Sequence, residues 1–145
     1  MIGSMTVRRL SAVGLLVVVV VACAPAAGRP TVPYLAAPQE IISAVAQFGP
    51  QMEPPSGYNF FSIETIGDGY ITLRADVTTG VAILGAFGGT SSPPARITVT
   101  TLEQADVTNV AVSILPASSG DLYDKIIREL DVRFRRAPAQ GAAGT

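Results

Sequence analysis

The order of periodic segments predicts an α+β fold, with an antiparallel sheet of four to five strands packed by an N-terminal and a C-terminal helix. Three observations carry that expectation. Apolar residues recur at helical spacing near both ends of the folded part, four period-two segments lie between them, and turn-forming residues stand where each pair of those segments folds back. Strands gathered in the middle with helices at the ends are an α+β layout.

The first helix is expected over 38–48. Pro38 suits a first-turn position, Glu40 places an acid near the positive end of the helix dipole, and Ile41, Ile42, Val45 and Phe48 share one stripe. Gly49-Pro50 stops it, and 53–57 reads as loop. Segments 58–65 and 69–77 form the first expected hairpin around Gly67-Asp68-Gly69, with Ile71, Leu73, Ala75 and Val77 inward and Tyr70, Thr72, Arg74 and Asp76 outward. Segments 96–103 and 107–115 form the second around Gln104-Ala105-Asp106, with Ile97, Val99, Val110, Val112 and Ile114 on the apolar side. A sheet with one polar face is ordinarily antiparallel. The intervening Gly80–Gly89 is apolar on both alternating faces and admits two readings, a buried fifth strand or a glycine-hinged apolar flap. The last helix begins near Ser118-Ser119-Gly120-Asp121 and buries Leu122, Tyr123, Ile126, Ile127, Leu130 and Phe134, with Arg133, Arg135 and Arg136 where the dipole favours cations. Residues 137–145 read as a disordered tail.

Ahead of this domain, Arg8-Arg9 precede an apolar run, Leu10 to Ala22, that ends at Cys23, the single cysteine of the 145 residues. A basic start, about a dozen apolar residues and a small-residue exit are the layout of a secretory signal peptide. The run is short for a bilayer span of about 20 residues, and Pro25 follows it closely. Val20-Val21-Ala22-Cys23 resembles the lipobox of bacterial lipoproteins. The resemblance implies that the leader, residues 1–22, is removed and that Cys23 becomes an acylated first residue holding the protein on a membrane. Ala24 rather than aspartate after the cysteine implies, by the same resemblance, the outer membrane in an organism that has one, and otherwise the outer face of the cell membrane. The element order of 38–136 is similar to that of small helix-grip domains of bacterial envelope lipoproteins. The organisation expected is therefore leader 1–22, a lipidated Pro/Ala-rich tether 23–37, one domain 38–136 and a tail.

Loss of Arg8 and Arg9 with the leader leaves eight basic against eleven acidic residues, a net charge of −3. Such a chain lacks the concentrated basic face that nucleic acids require. It contains no histidine, and acylation of Cys23 leaves no thiol, so a Ser-His-Asp triad, a Cys-His couple and a histidine zinc site are excluded. No cofactor or metal is expected, and the domain reads as non-enzymatic.

The candidate partner surface is the polar sheet face with Tyr58, Tyr70 and Arg74, presented to an envelope protein. The alternative is a carrier or sensor of a small apolar ligand such as an acyl chain, with Val81–Phe87 as its lid. Glu64 and Asp68, which with Asp76 and Glu103 are the carboxylates on or beside the expected sheet, admit acid and base work on a wall glycan, but the preferred reading is that Asp68 makes the turn and the others keep the sheet edges soluble. Arg133, Arg135 and Arg136 either balance the helix dipole or touch anionic headgroups.

Overall fold

Among the residues that the computed structural model describes, 29–80, 82, 88, 92–116 and 120–138, one sheet is covered on one face by two helices. The strands are Val32–Tyr34 (β1), Ser62–Gly67 (β2), Tyr70–Ala75 (β3), Ala95–Gln104 (β4) and Val107–Leu115 (β5). The helices are Pro38–Phe48 (α1), extended by a 3-10 turn over Gly49–Gln51, and Gly120–Arg133 (α2). The sheet order is β1-β5-β4-β3-β2 with every pairing antiparallel. The fold is α+β.

The helix starts where Pro38 and Glu40 place it. Glu40 reaches back so that its carboxylate accepts the Ala37 backbone N–H at 2.9 Å, which satisfies a donor that the first turn leaves free. Ile41, Ile42, Ala44, Val45 and Phe48 are buried against the sheet. Because β1 and β2 occupy opposite edges, α1 must carry the chain across the whole sheet. Four inter-strand spacings amount to about 19 Å, and an eleven-residue helix is about 16 Å long, so helix and 3-10 turn together match the crossing. At its far end Gly49 lies so close to the sheet that a Cβ there would meet Leu73 Cδ1 at 2.5 Å.

Among the described residues the fifth strand is not drawn from Gly80–Gly89. Most of that segment lies outside the described residues, and of its described members Ala82 donates its N–H to Thr78 O at 3.0 Å in a helical turn. The strand is β1, inside the stretch read from the sequence as tether. Val32 pairs with Val110 and Tyr34 with Thr108, and both β1 side chains at those positions enter the core. Contacts with the domain reach earlier still. The Arg29 guanidinium lies 5.3 Å from the centre of the Tyr123 ring, and the Tyr123 hydroxyl donates to Pro30 O at 2.9 Å. At the other end Leu35 N–H donates to Arg135 O and Ala137 N–H to Pro33 O, both at 2.9 Å, so the chain after α2 lies along β1. Ala137 is thereby buried, while 139–145 of the expected tail, and Ser118-Ser119 of the expected helix start, lie outside the described residues.

The first hairpin also begins later than expected. Residues 58–61 do not join the sheet; Tyr58 makes an isolated bridge to Val77, and Phe61 turns into the core before β2 starts at Ser62. The two turns fall where the sequence puts them. Gly69 takes φ +78°, a conformation glycine adopts without a steric penalty, and its carbonyl accepts both the N–H (2.7 Å) and the hydroxyl (3.0 Å) of Thr101. In the second turn Ala105 and Asp106 both have positive φ, +47° and +65°, as a two-residue hairpin requires.

Tyr34 is fully buried, and its hydroxyl donates to Asp131 Oδ1 at 3.0 Å. Asp131 also receives a two-pronged contact from Arg136, at 2.7 Å from Nε and 2.6 Å from Nη2. Burial, reinforced by the hydrogen bond to Asp131, pushes the Tyr34 phenol above its ordinary range, whereas Arg136 holds the Asp131 carboxyl below its own.

Two predictions follow from this geometry. Alanine in the left-handed region is disfavoured by about 1–2 kcal/mol, a cost asparagine largely avoids, so Ala105→Asn is expected to raise the denaturation midpoint by the equivalent of about 0.5–1 kcal/mol. Asp131 titrates lower in the folded chain than in the unfolded one, so its contribution is complete above about pH 4–5 and fades as pH falls through the lowered value. With a third of the side chain exposed, that contribution is at most about 1 kcal/mol. Arg136→Gln should remove it at pH 7 and leave a smaller difference from wild type near pH 2, measured by urea denaturation at both pH values.

Candidate functional site

Alternation along β3 and β4 puts one set of side chains under the helices and the other on a face that no described element covers. The register arranges this open face in rows. Ser62, Arg74, Arg96 and Leu115 form one; Thr65, Thr72, Thr98 and Ser113 the next; Gly67, Tyr70, Thr100 and Ala111 the third. The middle row is a hydroxyl band, with Thr72 and Thr98 Oγ1 atoms 3.3 Å apart.

Arg74 and Arg96 stand directly opposite each other, an arrangement that repels unless a counter-charge intervenes. Glu64 supplies it. The β2–β3 register shifts between Ile63 and Thr65, and such an irregularity re-aims the side chain within it. The Glu64 carboxylate accepts Arg96 Nε at 3.0 Å and Nη2 at 2.9 Å, a fork-to-fork contact, and Arg74 Nη1 at 3.3 Å. Arg74 Nε donates in addition to Asp76 at 2.8 Å. The hydrogen bonds from Arg96, then from Arg74, hold Glu64 below the usual carboxylate range. A glycosidase acid needs a raised value, so this environment opposes that role. Asp68 is not brought to the same place: it lies in the turn, where it accepts Gln39 Nε2 at 3.4 Å.

Of the residues expected to form a partner surface, Tyr70 and Arg74 share the open face at positions i and i+4 of β3. Tyr58 does not. It packs partly against the core off the end of the sheet, and its hydroxyl donates to Pro93 O at 3.0 Å. The Tyr70 ring is laid over Gly67, its register partner, so closely that a Cβ at 67 would lie 2.1 Å from the ring. Arg96 belongs to this face although the sequence reading did not single it out. Its polar position in an alternating strand was visible, but only the register shows that it faces Arg74.

Two of the three arginines expected at the end of α2 are engaged internally. Arg133 pairs with Glu129 and stands 5.0 Å over the Phe48 ring, and Arg136 pairs with Asp131. Beside that end of the helix a shallow cleft of about 350 Å³ is lined by Phe48, Gln51, Met52, Glu53, Lys125, Glu129 and Arg133. Its charged lining is unlike an acyl-chain cavity. Val81 and 83–87 of the expected lid, and Cys23, lie outside the described residues. Among the described residues no group of three or more histidine, cysteine, aspartate or glutamate side chains is placed to hold a metal ion, and no helix is long and apolar enough to cross a membrane.

Compared with known proteins, the chain matches no family model, no curated protein and no solved structure.

Glu64→Gln leaves Arg74 and Arg96 opposed with a neutral neighbour. The variant is expected to melt at a lower temperature than wild type, with the gap widening at low ionic strength because salt screens the arginine repulsion. Glu103→Gln, also on the sheet but outside the cluster, should show no such salt-dependent loss.

Proposed function

We propose that this chain is a lipid-anchored envelope protein whose domain is non-enzymatic and presents the open face of its sheet to a protein partner. The observation that carries the reading is the pre-organised array on that face. Tyr70 is seated on Gly67, and Arg74 and Arg96 are held in a fork by Glu64, beside a band of hydroxyls. Tyrosine and arginine are the side chains that most often anchor protein interfaces, and fixing them in advance reduces the entropy lost on association. The membrane part of the reading is supported by Arg8-Arg9, the apolar run and Cys23 in the arrangement of a lipoprotein leader. Two acyl chains hold a protein durably where one holds it marginally, since each buried methylene contributes about 0.8 kcal/mol.

A photo-reactive side chain placed at Thr98, in the middle of the open face, is expected to give a discrete cross-linked partner in cells. The adduct should disappear in the Tyr70→Ala, Arg74→Ala double variant and should not form from Gln47, exposed on α1. Equal cross-linking from both positions, or insensitivity to the double variant, would overturn the partner reading. For the anchor, the protein recovered from its host should have the mass of a chain starting at Cys23 with acyl groups attached, and Cys23→Ala should leave the membrane fraction. A retained leader would sink the anchor.

A further inference from the structure

The structure assigns a direction to the domain on its anchor: we propose that the sheet end carrying Arg29, Arg96 and Leu115 faces the lipid surface, while both hairpin turns point away from it. This rests on the acylated Cys23 proposed above. The sequence alone suggests a tether of fourteen residues from Ala24 to Ala37, whose extended reach of about 45–50 Å would permit any orientation. The docked chain shortens it. Arg29 is stacked on Tyr123 and Pro30 accepts the Tyr123 hydroxyl, so only Ala24–Gly28 separate the lipidated residue from the folded domain. Five residues plus their flanking links span at most about 22 Å.

The place where that short segment joins the domain lies at one extreme of the sheet. Tyr123 is in the first turn of α2, and a Cβ at Gly120 would lie 3.7 Å from the Arg29 guanidinium, so Arg29 sits at the α2 start. That start follows Leu115 closely in the chain, and Leu115 pairs with Arg96. From Leu115 to Val107, at the second turn, eight residues of strand cover about 26 Å. The β1–β5 register puts Arg29 level with Ser113, about 23 Å of strand from the second turn, so the turn end reaches the bilayer only with the short segment drawn out to its full length, whereas the Arg29 end reaches it with slack.

The side chains agree with this polarity. The turn end carries Asp68 in one turn and Glu103 and Asp106 at the other, against Arg135, whose carbonyl accepts the Leu35 N–H there, and the paired Arg136 and Asp131, so acid is in excess and an anionic surface repels it. The Arg29 end carries Arg29, Arg74 and Arg96 together with Glu64, Asp76, Asp121 and Asp124, so it is close to neutral, and Leu115 is 59% exposed there. Arg133 is paired with Glu129, Arg136 with Asp131 beside Tyr34, and Arg135 follows the far end of α2 next to Leu35, so in this orientation none of the three meets the headgroups. In this orientation the open face stands upright from the membrane, with Arg74 near the lipid and Tyr70 farther out.

Acylation consumes the one cysteine, so a single introduced thiol can carry a fluorophore. Leu115→Cys and Asp106→Cys, purified in their processed form and reconstituted in phosphatidylethanolamine–phosphatidylglycerol vesicles with a headgroup quencher, are compared. Quenching at 115 is expected to exceed that at 106 by at least about twofold, given the separation of about 26 Å. Inserting ten Gly/Ser residues after Ala27 should bring the two values together. Equal quenching on the native tether, or stronger quenching at 106, would overturn the orientation. Intact mass on the same samples separates the two ideas: an acylated Cys23 with equal quenching sinks the orientation alone, whereas a protein without acyl chains sinks the anchor and the orientation with it.

Discussion

The molecule depends on Tyr34. Its ring is wholly buried, stands edge-on to Phe134 with centroids 6.4 Å apart, and donates through its hydroxyl to Asp131, which Arg136 grips in turn. Two stretches of chain distant in sequence thus meet at one phenol: the first strand, and the last helix with the segment that follows it. A buried hydroxyl without an acceptor is costly, so the position of α2 over β5 and β1 is set as much by where Asp131 must lie as by its apolar stripe. The charge on Asp131 is in turn tolerated because Arg136 and the phenol both stabilise it.

Closing the β1 edge in this manner leaves an asymmetric sheet. One edge is covered by Arg135–Ala137, whereas β2 at the other pairs, among the described residues, with β3 alone, and Ile63 and Ile66 are substantially exposed. Both helices are used on one face, α1 because it must cross from β1 to β2 and α2 because Tyr34 draws it alongside. Nothing in the described chain remains to cover the other face. Its hydroxyls, arginines and tyrosine follow directly from that topology, since the residues alternating with the core must face water or a partner.

The proposed anchor and the fold are connected through the same edge. Since β1 is needed to complete the core, the chain is captured from Arg29 onward, and what looks like a long flexible spacer becomes a short one. The proposed orientation at the membrane is a consequence of how the core is closed rather than of any surface feature designed for lipid.

What the sequence by itself determined were the features that depend on near neighbours along the chain. The span of α1, the apolar stripe of α2, the alternation in β3, β4 and β5 and the two turns are all patterns within a few residues, and each is where those patterns place it. Tyr70 and Arg74 were legible as a polar face for the same reason. Only the tertiary structure decided that Val32–Tyr34 is a strand, that Tyr58 leaves the face while Arg96 joins it, and that Glu64 serves two arginines. A three-residue strand with proline at its centre has no period to read, and the deciding partners lie far away, with Asp131 97 residues from Tyr34 and Arg96 32 from Glu64. Contacts at that range are fixed by register and packing, which exist only once the sheet has formed.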